Sequence, residues 1–271
     1  MKEITNIETI HNILFQSLCY FDDFCRQNGL KYFLSNGTLL GAAKYNNFIP
    51  WDDDVDVMMP RDDYDKLMSL PNINNINYKL LCKEQNDEWR MPYAKLISLN
   101  TYVKEGEYNF GVEIGISIDI FPIDKWHPCK MIAVLESMKC EILKRKLIYS
   151  IGPEFKKSSK GFKNCIKLYL YKSGKKMGYK KIQEKIFYIL AKSKKKKQGY
   201  SGCLAWTSHL YKEIFDFKIF EETDYLIIRN RAFPVIKDYK KYLDQMYGKW
   251  RQELPAEKQC SNHIIKVWII D

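Results

Sequence analysis

An acidic run leads directly into an alternating apolar segment near residue 50. The sequence from Trp51 to Met59 reads Trp-Asp-Asp-Asp-Val-Asp-Val-Met-Met. Because the side chains of a strand point alternately to its two faces, the spacing predicts a strand that carries Asp52, Asp54 and Asp56 on one face and the valines on the other. Carboxylates stacked beside apolar side chains are unfavourable unless a cation neutralises them, and their hard oxygen atoms favour Mg²⁺ or Mn²⁺. The alternative is an acidic turn that leads into a strand.

Length and composition allow one large domain with a substantial core. The chain has 271 residues, of which 46% are hydrophobic, which is enough apolar material for a buried interior. It contains no apolar run of the roughly 18 residues that a membrane span needs, and its first residues lack the pattern of a secretory signal. Its eight cysteines are scattered without the spacing of a zinc site. We therefore expect a cytosolic protein with reduced cysteines.

The rest of the chain shows helical and extended patterns in alternation. Apolar residues at three- and four-residue spacing predict a helix over 4–28 that ends before Gly29. Further expected elements are strands at 31–35, 78–82, 93–98 and 111–121, a helix at 39–44 with Thr38 as its N-cap, a helix that begins at Pro60, and a helical pattern from Trp126 to Trp250. The sequence thus predicts an α+β fold.

A further acid and a Gly-Thr pair occupy positions that suit phosphoryl transfer. Asp119 lies on the polar face of its predicted strand and is the best candidate for a carboxylate beside the acidic run. Such a carboxylate shares a metal ion or accepts the proton of an attacking hydroxyl. Gly37 and Thr38 lie between a strand and a helix, where backbone N–H groups can bind a phosphate. This order of elements is the layout of the polymerase-β-like nucleotidyltransferases, with a mixed sheet and flanking helices.

Three stretches of the chain form a long and specific pattern. They read FLSNGTLLGAAK at 33–44, FIPWDDDVDV at 48–57 and IDIFPID at 118–124. Together they resemble the LicD family of phosphocholine transferases, to which fukutin and fukutin-related protein are also similar. The middle of the chain, at about 127–230, is poorly covered by this resemblance.

The resemblance implies a metal-assisted transfer of a phospho-substituent. It implies Mg²⁺ or Mn²⁺ at Asp54, Asp56 and Asp119, which are then both the catalytic and the metal-binding residues, and a phosphate contact at Gly37 and Thr38. The implied donor is CDP-linked, with CDP-choline as the first choice, the acceptor is a hydroxyl of a cell-surface or lipid-linked glycan, and CMP is released. The family also includes donors that carry glycerol and ribitol, so the head group stays open at this level.

Three more residues are predicted to contact substrate. The family commonly has arginine where this chain has Lys44, and a lysine binds phosphate as a point charge without bidentate geometry. Asp52 shares the predicted strand face with the metal-binding aspartates. Trp51 precedes it and, like Trp89 and Trp126, can hold a quaternary ammonium by cation–π attraction, although most aromatic residues of such a chain lie in the core.

Positive charge is concentrated between residues 155 and 200. This segment has sixteen lysines and one acid, so it carries +15 against +11 for the whole chain, which leaves −4 for the remaining residues. A local basic surface follows, not a chain that binds nucleic acid. Such a surface suits peripheral contact with an anionic membrane leaflet that carries a lipid-linked acceptor, and the alternative is a solvated helical face. We expect 1–125 to form the catalytic core and 126–271 a mostly helical part packed on it; the oligomeric state stays open.

Two other functions remain compatible with these features. A metal-dependent glycosyltransferase would use Asp54 and Asp56 as its D-x-D motif, but that class generally builds several strands before these acids, and here one predicted strand precedes them. A membrane-surface scaffold would bind a cation without catalysis. Turnover of a UDP-sugar would favour the former, and lipid binding without turnover of a CDP-linked donor would favour the latter.

Overall fold

The computed structural model describes residues 1–155, 162–207, 209–260 and 265–270, and this part of the chain is an α+β protein. Its helices are α1 (Ile7–Gln27), α2 (Asn36–Tyr45), α3 (Arg61–Met68), α4 (Lys130–Ile151), α5 (Phe162–Met177), α6 (Tyr179–Lys194) and α7 (Tyr239–Tyr247). Its strands are β1 (Lys2–Ile4), β2 (Phe33–Leu34), β3 (Val55–Pro60), β4 (Tyr78–Leu81), β5 (Ala94–Ser98), β6 (Thr101–Glu105), β7 (Ser117–Lys125), β8 (Tyr200–Cys203), β9 (Phe215–Asp216), β10 (Thr223–Ile228), β11 (Arg231–Ile236) and β12 (Ile265–Ile269). None of the described helices is long and apolar enough to cross a lipid bilayer.

A mixed sheet forms the centre of the protein. Its strands follow the order β2-β3-β7-β5-β4, with β8 and β9 added beside the second half of β7. Strands β3 and β7 run parallel, whereas β2, β5, β4 and β8 are antiparallel to their neighbours. Because β7 lies between β3 and β5, residues from three separate parts of the sequence meet in the middle of this sheet.

Two smaller sheets join distant parts of the chain. Strand β12 pairs with β1 on one side and with β6 on the other, and β10 and β11 form a hairpin. Since β8 also extends the central sheet, residues after position 126 share two sheets with residues before it. The two expected parts of the chain are therefore interleaved.

Helix α1 packs on the central sheet as its periodicity predicts. Leu14, Leu18 and Phe21 are fully buried, and the side chain of Asn6 caps the first turn by accepting a hydrogen bond from the backbone N–H of Glu8. Gly29 follows the helix at φ +60°, a left-handed conformation that glycine adopts without strain. The predicted helix and its end are confirmed.

A buried ion pair ties α3 and α6 to the end of β7. Arg61 donates two hydrogen bonds of 2.8 Å to the two carboxylate oxygens of Asp124, which is almost fully buried. The hydroxyl of Ser193 on α6 donates to the same carboxylate at 3.2 Å. Such bidentate geometry fixes the direction as well as the position of the guanidinium.

Two local predictions in the first third of the chain are wrong. Helix α2 begins at Asn36 with Ser35 as its N-cap, so Thr38 lies inside the first turn and caps nothing. Strand β3 begins at Val55, and the acidic residues before it form an irregular segment that follows a turn at Pro50 and Trp51. The alternation therefore applies only from Val55 onward, and Asp52 and Asp54 owe their positions to the loop instead of to a strand face.

The strand predicted over 111–121 is also displaced, because β7 begins only at Ser117. Gly111 has φ +88° and a single bridge joins Val103 to Ile114, so the chain turns before it enters the sheet. The helical pattern after Trp126 is confirmed for α4, α5 and α6, but strands β8 to β12 follow. Strands β8 and β12 pair with strands that are distant in sequence, and periodicity alone does not detect such pairs. Residues 156–161 of the lysine-rich segment lie outside the described residues.

Candidate active site

Three charged residues lie side by side across the middle of the central sheet. Asp56 of β3 is the register partner of Asp119 of β7, and Asp119 is in turn the partner of Lys95 of β5. The ammonium of Lys95 donates to Oδ1 of Asp119 at 2.5 Å, and the hydroxyl of Ser117 donates to the same oxygen at 3.3 Å. The two aspartates predicted from separate motifs are therefore brought together, and a buried lysine completes the row.

The acidic run lies next to this row. Single carboxylate oxygens of Asp52, Asp53 and Asp54 lie within 4.8 Å of one another. The ring Nε2 of His11 lies 2.8 Å from the backbone oxygen of Asp52 and so anchors the loop to α1. Asp53, which strict alternation assigned to the opposite face, thus belongs to the carboxylate cluster.

A cavity of about 360 Å³ opens over these groups. Its charged and polar lining consists of Asn36, Asp53, Asp54, Asp56, Lys95, Glu105, Ser117 and Asp119. Its apolar lining includes five aromatic side chains, namely Tyr93, Tyr108, Phe110, Phe121 and Trp206. A space of this size suits a small organic ligand, and its lining combines a compact polar group with a large aromatic surface.

Burial and the interaction of neighbouring charges together set the electrostatics of the polar lining. Burial raises the pKa of Asp56 well above its usual range, and the neighbouring charges of Asp54 and Asp119 raise it further. Burial by itself lowers the pKa of Lys95, but Asp119 and Glu105 outweigh this effect, so its pKa lies above the ordinary lysine value. Lys95 is thus held as an ammonium, and the site has more negative charge than this one cation balances.

This carboxylate set fits a hard divalent cation. All of its donors are oxygen atoms, which Mg²⁺ and Mn²⁺ prefer, and a cation would offset both the burial and the repulsion that raise the pKa of Asp56. Asp54 and Asp56 line the cavity and can supply two ligands, with Asp53 beside them. One oxygen of Asp119 already contacts the ammonium of Lys95.

The Gly-Thr pair supports the acidic residues from behind. The hydroxyl oxygen of Thr38 accepts the backbone N–H of Asp56 at 2.8 Å, so this buried side chain positions β3. A Cβ atom added to Gly37 would lie 2.6 Å from a carboxylate oxygen of Asp52. The preceding residue, Asn36, lines the cavity and has φ +45°. Gly37 therefore leaves space for the Asp52 carboxylate, and Thr38 holds β3 in place. Asn36, and neither residue of the pair, lines the cavity.

Lys44 and Trp51 lie outside the cavity lining. Lys44 donates to the backbone oxygen of Gln252 at 2.8 Å and forms an ion pair with Glu253. Trp51 packs edge-on against Tyr45, with ring centroids 6.4 Å apart. The structure therefore places Lys44 against the segment near Gln252 and Trp51 against Tyr45, and neither side chain lines the cavity.

The aromatic wall of the cavity does not include Trp51, Trp89 or Trp126. Trp89 and Trp126 are fully buried in the core. In the cavity, the ring of Tyr93 lies 4.7 Å from that of Phe121 and 5.2 Å from that of Trp206, centroid to centroid. Tyr93 also lies close to the charged row, because the ammonium of Lys95 is 5.8 Å from its ring.

A buried group on α4 holds the loop of Trp206 in place. The ammonium of Lys144 donates to the backbone oxygen of Thr207 and lies 5.6 Å from the ring of Trp206. Lys144 also pairs with Glu141 one turn away. The Trp206 ring is thereby fixed against the cavity by α4, although it is about 150 residues from the acidic run in sequence.

Comparisons with known proteins relate this sequence to one described family. Residues 29–134 match the family described as LicD/FKTN/FKRP, nucleotidyltransferase domain. The lipopolysaccharide cholinephosphotransferase LicD of Haemophilus influenzae is 25% identical over the full length of both chains. Uncharacterised proteins of Rickettsia typhi and Rickettsia prowazekii are 32% and 33% identical over 25% and 24% of this chain, which is 22% and 25% of their own lengths. Residues 29–134 therefore form a LicD-family domain.

The LicD match spans β2 to β7 and therefore includes the charged row and the acidic run. Trp206 and its supporting lysine on α4 lie beyond it. Lys95 and Tyr93 had a usable signal in the sequence, because two residues of spacing on a predicted strand place both on one face. Trp206 had none, since only the pairing of β8 with β7 brings its loop to the cavity.

Proposed function

We propose that this LicD-family protein transfers phosphocholine from CDP-choline to a hydroxyl of a glycan with the help of Mg²⁺ or Mn²⁺. The observation that carries the proposal is the pairing, in one cavity, of a carboxylate cluster suited to a cation and an aromatic wall suited to a quaternary ammonium. The activity named for the Haemophilus influenzae relative agrees with it. A nucleotidyltransferase type of fold is part of the proposal, supported by the family description and by parallel strands that carry Asp56 and Asp119.

In the proposed mechanism, Asp54 and Asp56 would hold the cation, with Asp53 next to them. The bound cation supplies charge neutralisation for the donor phosphates. We assign proton acceptance to Asp119, because an ammonium 2.5 Å from its Oδ1 repels a second cation at that oxygen. The acceptor hydroxyl gives its proton to Asp119 as its oxygen bonds to phosphorus, and the bond from phosphorus to the CMP oxygen breaks.

The choline group is proposed to bind against Tyr93, Phe121 and Trp206. A quaternary ammonium is attracted to an aromatic face within about 6 Å of the ring centroid, and the three rings are close enough together to contact one ligand group. Glu105 also lines the cavity and adds a negative charge. Glycerol and ribitol lack the positive charge that would make use of these groups.

The central experiment measures CMP release from CDP-choline with Mg²⁺ and a glycan extract as acceptor. We expect Asp54→Ala and Asp56→Ala to abolish release, whereas Asp87→Ala, at an exposed position outside the cavity, retains it. Release of UDP from UDP-sugars, without release of CMP from CDP-choline, would instead support a glycosyltransferase. No turnover of any nucleotide donor would contradict the proposal.

Two tryptophans provide a matched test of the head group. Trp206→Leu should lower the preference for CDP-choline over CDP-glycerol by about 2- to 30-fold, the range expected for loss of a cation–π contact. Trp51→Leu should leave this preference unchanged, because Trp51 lies outside the cavity lining. Equal effects of the two substitutions would argue against an aromatic choline site.

The roles of the two paired aspartates can also be separated. If Asp119 accepts the proton and Asp56 binds the cation, Asp119→Asn should lower kcat but keep the thermal stabilisation by Mg²⁺. Asp56→Asn should lose both. Loss of the Mg²⁺ effect in Asp119→Asn would assign that residue to the cation as well.

A further inference from the structure

Helix α4 carries an apolar stripe that no other described part of the chain covers. Four of the five exposed large apolar side chains of this helix form the stripe, at relative accessibilities of 74%, 61%, 52% and 45% for Met131, Leu135, Met138 and Ile142. Their spacing of four, three and four residues places them on one face of the helix over about 16 Å. The opposite face is already used, because Ala133, Cys140 and Leu147 lie in the core, so the stripe is a second apolar surface on the same helix.

One flank of this stripe is basic and aromatic. The ammonium of Lys192 on α6 lies 4.5 Å from the ring of Tyr188, which is 61% exposed, and the charge of Lys139 on α4 acts on the same tyrosine. Farther along α4, the ammonium of Lys146 lies 5.9 Å from the exposed ring of Tyr169 on α5. Tyrosine and lysine both combine an apolar body with a polar end that prefers an aqueous boundary.

The charge of the surrounding helices is strongly one-sided. Helices α4, α5 and α6 together contain fourteen lysines and one arginine but only three acids, Glu136, Glu141 and Glu184. Of these acids, Glu141 is buried and paired with Lys144, and Glu136 is paired with Lys196. The solvent-facing charge next to the stripe is therefore almost entirely positive.

We propose that the stripe of α4 and its basic flank form a docking surface for an anionic lipid bilayer. The four apolar side chains would enter the boundary between head groups and acyl chains, and the lysines beside them would contact acidic head groups. The complementary charge selects a lipid surface over a second copy of this chain, because two copies joined along the stripe would bring their lysine-rich flanks together. The same helix lines the catalytic cavity through Ile148 and Ile151, about 9 to 14 Å farther along its axis than Ile142.

This docking surface does not depend on the proposed transfer reaction. It consists of residues that lie outside the catalytic cavity, and its occupant is recognised by charge and apolar area alone. If docking occurs, the cavity lies near the plane of the membrane, where a lipid-carried acceptor would be found.

The test is co-sedimentation of the full chain with vesicles of phosphatidylcholine alone or mixed with phosphatidylglycerol. We expect binding to the mixed vesicles that weakens as salt is added and is lost on Leu135→Glu/Met138→Glu. Lys139→Ala/Lys192→Ala should weaken binding about 25-fold, at about fivefold for each lysine. Ile76→Glu is the matched control, because Ile76 is also exposed (87%) but lies before β4, outside the three helices.

Several outcomes would overturn the proposal. Equal binding of the wild-type chain to both kinds of vesicle would show that anionic charge does not drive docking. No binding to either would show that this surface does not dock on a bilayer. Binding by Leu135→Glu/Met138→Glu at the wild-type level would show that the stripe is not the contact. A concentration-dependent dimer that this double substitution dissociates would assign the stripe to a second copy of the chain. Because the substituted side chains are exposed, unchanged thermal unfolding should accompany each variant.

Discussion

Replacing Asp56 by asparagine should stabilise the metal-free protein while removing its activity. Asp56 and Asp119 are register partners on neighbouring parallel strands, which lie about 4.8 Å apart. Two unit charges at that distance repel by about 3 kcal/mol at an effective dielectric constant of 20, and Lys95 offsets part of this. A net gain of about 1–2 kcal/mol in unfolding free energy is therefore expected, which corresponds to a rise in Tm of about 2–8 °C for a chain of this size.

In the presence of Mg²⁺, the wild type should become more stable than Asp56→Asn. A cation that binds only the folded wild type at about 100 times its Kd adds about 2.7 kcal/mol, or about 5–10 °C in Tm. Asp56→Asn should show little of this increase because it lacks a ligand. Thermal unfolding followed by circular dichroism, with and without Mg²⁺, measures both effects, and Asp87→Asn is the control at an exposed carboxylate.

Two results would refute this reasoning. A lower Tm for metal-free Asp56→Asn would mean that its carboxylate is a net stabilising group, and a Mg²⁺ effect as large as in the wild type would mean that Asp56 is not a ligand. The direction in which the unfolding free energy changes with pH provides an independent test. Because the pKa of Asp56 is raised in the folded protein, the folded chain binds more protons than the unfolded chain just above the ordinary aspartate pKa. The unfolding free energy of the metal-free wild type should therefore fall as pH rises through that window, more than in Asp56→Asn.

Three other substitutions address how the site is built. Gly37→Ala should lower CMP release about 10- to 100-fold with little change in Tm, because its Cβ would displace a carboxylate oxygen 2.6 Å away and small misplacements near reacting groups are severe; full activity would show that this approach is unimportant. Arg61→Ala should lower the unfolding free energy by about 3–5 kcal/mol in urea denaturation, since it leaves its buried carboxylate partner on β7 unpaired. Lys95→Met should also be destabilising, by about 3 kcal/mol, and a second substitution, Asp119→Asn, should restore part of the loss. Additive effects in that double variant would contradict a direct interaction.

Periodicity alone predicted the elements whose signal is local. The helix at Ile7–Gln27, the helix at Arg61–Met68 and the strands at 78–81 and 94–98 follow directly from apolar spacing. The acidic run was different, because alternation was extended through Asp52 and Asp54 although the strand begins at Val55. Adjacent carboxylates favour a loop, where their side chains can spread, and the loop brings Asp53 into the same cluster.

The amino-acid sequence by itself determined the α+β class, the match to the LicD family at 29–134 and the two acidic motifs, because each depends on contiguous residues. Only the tertiary structure decided which groups share the cavity. The pairing of β7 with both β3 and β5 places Lys95 against Asp119, and the pairing of β8 with β7 brings Trp206 to the same cavity. Hydrogen bonds between strands impose no fixed separation along the chain, so contacts of this kind leave no periodic trace, whereas a helix or a single strand does.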